Sequence, residues 1–151
     1  MINRSERFAS IAPLLLLLIC LFTGFTIEPQ SLPQGVYSVQ IANENFPARF
    51  PVEGRAALSG KWELTLMEGN RTKLTKDGET VVEGHYSATT DRFIITDETG
   101  TLSCAKEAGK ETGTYKWTLN GDKLVLKGID DKCDGRRFIL TLLPWVKQKQ
   151  G

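Results

Sequence analysis

From residue 35 onward, apolar positions recur at every second residue. Tyr37, Val39 and Ile41 alternate with Ser38 and Gln40, and Trp62, Leu64 and Leu66 alternate with Glu63 and Thr65. Val82, Gly84 and Tyr86 share one face, opposite Val81, Glu83 and His85. Tyr115, Trp117 and Leu119 face away from Thr114, Lys116 and Thr118. Phe138, Leu140 and Leu142 alternate with Ile139, Thr141 and Leu143. Successive side chains of an extended chain point to opposite sides, so a period of two marks strands with one buried face. Residues 72–75, 93–96 and 124–129 add three further extended runs, and the pattern predicts eight strands and no helix.

Turn chemistry separates these runs. Glu68-Gly69-Asn70, Asp77-Gly78, the stretch 97–100 and Asn120-Gly121 supply the residues that tight reversals need. Residues 42–58 form the longest irregular connection, with Pro47, Pro51 and Gly54, and read as a lid or an edge cover. A glycine stands two residues before an aromatic four times: Gly35 before Tyr37, Gly60 before Trp62, Gly84 before Tyr86 and Gly113 before Tyr115. A strand glycine suits a bend, a bulge or a close backbone approach, and repeated bends are what curl a sheet into closure. The expectation is therefore an all-β fold, an antiparallel up-and-down eight-stranded barrel.

The stretch SGKWELTL at 59–66 resembles the Gly-x-Trp opening strand of lipocalins and other calycins. More broadly, residues 35–145 resemble small exported bacterial lipocalin-like domains. The pieces that carry this are GKWEL, EGHY, the ordered string Cys104, Gly113-x-Tyr115-x-Trp117, Gly121-Asp122, Asp131, Cys133, Arg136, and the closing LPW. The resemblance implies a lipocalin-like barrel. With Phe138–Leu142 as the last strand, only a tail at 146–151 follows the domain, too short for the carboxy-terminal helix of a lipocalin. Arg136 and Arg137 then precede that strand, so the contact in which a lipocalin arginine stacks on the Gly-x-Trp tryptophan does not carry over to them.

The first 26 residues belong to a different class. Arg4 and Arg7 precede an almost wholly apolar run from Ile11 to Phe25, the order found in export signals. The run is shorter than the roughly 20 residues a membrane span needs and holds Pro13. Residues 1–26 are read as a signal peptide or a short membrane anchor, and 27–34 as a linker. Ile19 stands before Cys20 where a lipoprotein signal needs a small residue, which disfavours lipidation. The localisation expected is export, to a periplasm or beyond, with membrane contact only through this segment. Two cysteines, Cys104 and Cys133, remain in the exported part, and in an oxidising compartment they most simply form one disulfide.

Charge excludes some partners. Without Arg4, Arg7 and Glu6 the 19 basic and 18 acidic residues become 17 of each, so nothing attracts nucleic acid. No catalytic set stands out: His85 is the sole histidine and faces outward by alternation, and no phosphate loop appears. The chain is read as not an enzyme, with no cofactor and no metal. Asp130-Asp131-x-Cys133-Asp134 reads as a solvated turn rather than a calcium loop, and Asp131 is placed to pair with Arg136 or Arg137. Asn70-Arg71-Thr72 matches a glycosylation sequon in a turn.

Two readings of function follow. In the first, a monomeric barrel carries a small hydrophobic molecule such as a fatty acid, retinoid or tetrapyrrole. Trp62, Tyr86, Tyr115, Trp117 and Phe138 line its interior. In the second, the barrel is filled and the loops 42–58, 97–112 and 130–135 bind a protein, for example an envelope-attacking enzyme. Periodicity alone does not choose between a filled and a hollow barrel.

Overall fold

The computed structural model describes residues 31–149, so the apolar leader, Cys20 and the first part of the linker lie outside the described residues. Eight antiparallel strands close into one barrel in chain order: β1 (Gly35–Ile41), β2 (Gly60–Leu66), β3 (Arg71–Lys76), β4 (Glu79–Ala88), β5 (Arg92–Thr99), β6 (Thr112–Asn120), β7 (Lys123–Asp131) and β8 (Trp145–Lys147). The up-and-down barrel expected from the period of two is the fold observed. Asp77-Gly78 makes the hairpin between β3 and β4, and Gly121-Asp122 that between β6 and β7. The ring closes where Tyr37 pairs with Lys147 and Leu124 with Trp145.

The inward positions make the core. Tyr37, Trp62, Leu64, Leu66, Phe93, Tyr115, Leu124, Leu140 and Trp145 are each at most 1% exposed, so the interior is densely filled over most of its length. Burying side chains of this size is the main force holding such a domain together. Leu32 is buried in the same core, and the Tyr37 hydroxyl donates to the Pro33 carbonyl at 2.6 Å. The described end of the expected linker is thus packed onto the barrel.

Among the described residues, two α-helices interrupt the all-strand expectation: α1 (Val52–Leu58) and α2 (Asp134–Leu142). Where a strand was expected at 138–142 the chain is helical, and the eighth strand is Trp145–Lys147, partly within the expected tail. The run from Phe138 to Leu143 is apolar at nearly every position and so satisfies both periods. The buried residues Arg136, Ile139 and Leu140 follow the spacing of a helix face. Pro144, two residues beyond, stops the helix because proline disfavours helical backbone before it.

α2 lies across the end of the barrel where β7 finishes. The connection holding α1 and the loop 100–111 between β5 and β6 cover the same end. Phe46 and Phe50 of the first connection stack on Phe138 of α2, with ring centroids 5.6 and 4.7 Å away. Arg55 of α1 donates to the carbonyls of Phe50, Pro47 and Ala48 and folds that connection onto itself.

Candidate functional site

The two ends of the barrel are closed by different means. At the end away from α2, aromatic residues fill the bore and their polar tips reach loop carbonyls. Trp117 Nε1 donates to Thr89 at 2.8 Å, and the Tyr86 hydroxyl lies 3.5 Å from the Met67 carbonyl. A buried aromatic with a polar tip needs such a partner, and here the loops supply it. Under α2 a cavity of about 140 Å³ remains. Its wall is largely aliphatic, with Leu74, Val82, Ile95 and Ile139 around it, Trp62 at one side and the Cys104–Cys133 disulfide at another.

Of the expected lining residues, only Trp62 borders this cavity, and its indole N–H donates to the Leu58 carbonyl of α1 at 2.9 Å. Tyr86, Tyr115 and Trp117 are buried core residues that line other parts of the bore. Phe138 sits on the helix, half-buried against Phe46 and Phe50 beside an open surface groove. Its place in the barrel interior was an expectation of the strand that is not there.

The cavity has one polar patch, and it is buried. Asp97 of β5 and Arg136 of α2 border it, with side chains 0% and 4% exposed. Asp131 stands on the far side of the guanidinium. Its Oδ2 accepts from Arg136 Nε at 2.9 Å and its Oδ1 from Nη2 at 2.7 Å, a bidentate pair. The Tyr115 hydroxyl and the Cys133 backbone N–H also donate to Asp131, so both its oxygens are fully engaged. Arg136 further donates to the carbonyls of Lys110 and Glu111, which pins the 100–111 loop to α2. A buried charge is tolerable only when its donors and acceptors are met in this way.

Charge around Arg136 sets the proton affinities. Burial alone lowers the guanidinium pKa, and the bonds and charges of Asp131 and Asp97 outweigh it, so the net shift is upward. Burial, then the hydrogen bond and charge of Asp131, push the Tyr115 hydroxyl far above the ordinary phenol value. Tyr115 is therefore a neutral donor to Asp131.

Glycine makes room for this cluster. A Cβ on Gly113 would collide with the Asp131 carboxylate and come within 3.1 Å of Arg136 Nη2. The glycine before Tyr115 therefore serves the ion pair rather than a ligand. Gly84 has a different duty: a Cβ there would run into the Thr96 carbonyl across the β4–β5 register shift. Repeated glycines do mark irregular strand positions, each for its own local reason.

The expected pairing of Asp131 with the arginines is present, since Arg137 Nη1 also donates to the Asp131 carbonyl at 3.2 Å. Asp131 is consumed by these contacts and Asp134 is held by Arg137 at 2.6 Å, which makes the acidic stretch 130–134 a braced turn. His85 is exposed, as its strand face implied, and lies 2.6 Å from Glu98, which also pairs with Arg71 at 2.7 Å. Hydrogen bonding from Arg71, with added attraction from His85, lowers the Glu98 pKa.

No family model, curated protein or solved structure matches this chain. The site is thus read from its own residues. Asp97, Cys104 and Cys133 bring ligand-type atoms within 4.8 Å of one another. The sulfur–sulfur bond, however, leaves neither cysteine as the thiolate that metals bind. Asp97 is the residue that the sequence reading missed, because it was counted with the turn 97–100. Phe93, Ile95 and Asp97 alternate on one face, and that signal marks Asp97 as inward.

Proposed function

We propose that this protein is an exported, lipocalin-like binding protein that holds one small apolar or amphipathic molecule, without turnover, between its barrel and α2. The observation that carries the reading is the cavity of about 140 Å³ left under the helix in an otherwise filled barrel. Cavities of about this size lined by aliphatic groups hold molecules such as benzene. Pockets for drug-sized ligands begin at roughly 300 Å³, so fatty acids, retinoids and tetrapyrroles exceed what this space encloses. The ligand class narrows to ring-sized molecules. The disulfide supports an oxidising compartment, in keeping with the apolar leader at 1–26. The protein acts as a monomer and meets a membrane only through that leader.

The test is a titration of the disulfide-intact protein with toluene, phenol and indole, followed by backbone amide shifts. Saturable changes around Trp62, Ile95 and Ile139 are expected, and Val82→Phe, which fills the space, abolishes them. Absence of a saturable response to every compound overturns the reading.

A further inference from the structure

The barrel closes over only part of its length. β7 has nine residues, but β8, its neighbour on the closing side, has three. Lys123 and Leu124 take up that pairing. From Leu126 to Asp130, no strand lies beside β7 on that side among the described residues. No loop or helix there hydrogen-bonds its backbone either; the nearest such contact is from Arg137 to the Asp131 carbonyl. Lys127, Gly128, Ile129 and Asp130 are exposed. A bare strand edge of this kind offers backbone donors and acceptors to another extended chain. Beside it opens a groove of about 600 Å³, lined by Gly128, Phe50, Leu58 and Phe138. A Cβ on Gly128 would meet only the aliphatic stem of Arg137, at 3.6 and 3.7 Å, so packed core does not block this edge.

The outer face of the same strands carries a charge imbalance. Around most of the barrel a cation faces an anion across the strands, as Lys73 faces Glu83 and Lys76 faces Glu79. Across β5, β6 and β7 the order is Arg92, Lys116, Lys127, three like charges in direct register. Like charges placed opposite one another destabilise a sheet. Arg92 has Asp91 only at 3.9 Å, and Lys116 and Lys127 have no ion-pair partner among the described residues. The row ends at Lys127, on the bare edge.

We infer that the β7 edge at Leu126–Asp130 docks an extended peptide that adds a strand there, with an acidic residue opposite Lys127 and apolar residues on the alternate positions. Alternation lets one strand do both: its outward residue meets Lys127, and its inward residues meet Phe50 and Phe138 in the groove. A carboxylate opposite Lys127 supplies the anion that the row lacks. A second copy of this chain fits worse, because it would bring its own Lys127 to the edge and lengthen the run of like charges. The edge is outside the barrel, so this inference stands apart from cavity binding.

The probe is the capped peptide Ser-Thr-Val-Glu-Val-Thr-Ser, titrated into the disulfide-intact protein and followed by backbone amide shifts. Saturable shifts centred on Leu126–Asp130 are expected. The same peptide with lysine in place of glutamate should bind about threefold or more weakly. Lys127→Glu, a change at an exposed position, should reverse that order. Proline in place of both valines should abolish binding, since proline has no N–H to donate. No shifts at 126–130 with millimolar glutamate peptide, or shifts centred elsewhere, overturn the docking site. Equal binding of the glutamate and lysine peptides by both proteins overturns the acidic preference. Concentration-dependent shifts at 126–130 without peptide overturn the choice of partner in favour of a second copy.

Discussion

Asp97 and Asp131 flank one guanidinium, and each also accepts the backbone N–H of one half of the disulfide, Asp97 from Cys104 and Asp131 from Cys133. The ion cluster and the covalent bond therefore hold the same junction of β5, β7, α2 and the 100–111 loop. The cavity lies against this junction, so its shape depends on both.

Arg136→Ala leaves two carboxylates buried without their cation. Breaking a buried pair from one side costs about 3–5 kcal/mol. Urea denaturation should show a loss in that range. Glu98→Gln, which breaks an exposed pair with Arg71, should cost under about 1 kcal/mol in the same assay.

The Cys104–Cys133 bond spans 29 residues. Restricting the unfolded chain over such a loop contributes roughly 3–4 kcal/mol. Denaturation curves with and without reductant should differ by about that amount. An equal midpoint in both would show that the ion cluster holds the junction unaided.

Gly113→Ala places a methyl against the Asp131 carboxylate, and overpacking of this kind costs about 1–3 kcal/mol. Gly135→Ala meets nothing within 4 Å in the first turn of α2 and should stabilise by up to about 1 kcal/mol through helix propensity. Thermal melts of the two variants should move in opposite directions.

Burial, with a smaller electrostatic contribution from neighbouring Tyr86, raises the Tyr37 pKa from 10.0 to about 12. The folded chain keeps a proton that the unfolded chain gives up above pH 10. The stability is fully present below pH 10 and falls as pH rises toward 12. Tyr115 extends the effect to still higher pH. Alkaline unfolding followed with tyrosine absorbance should show Tyr37 and Tyr115 ionising only as the fold is lost. Free titration of all tyrosines near pH 10 in a folded protein would contradict this.

What the sequence by itself determined is the barrel. Alternation and turn residues act over a few neighbouring positions, and seven of the eight strands, their up-and-down order and the inward placement of Tyr37, Trp62 and Tyr115 follow from them. The disulfide and the Asp131–Arg136 pair were legible too, from compartment chemistry and short spacing. Only the tertiary structure decided whether 134–142 is strand or helix, since its apolar run suits either and the choice depends on which end of the barrel needs a cover. That choice moved Phe138 out of the barrel interior, carried Arg136 beneath the helix to Asp97, which lies 39 residues back along the chain, and left a space under the helix. A cavity belongs to the packing of distant segments, and no local pattern encodes its volume.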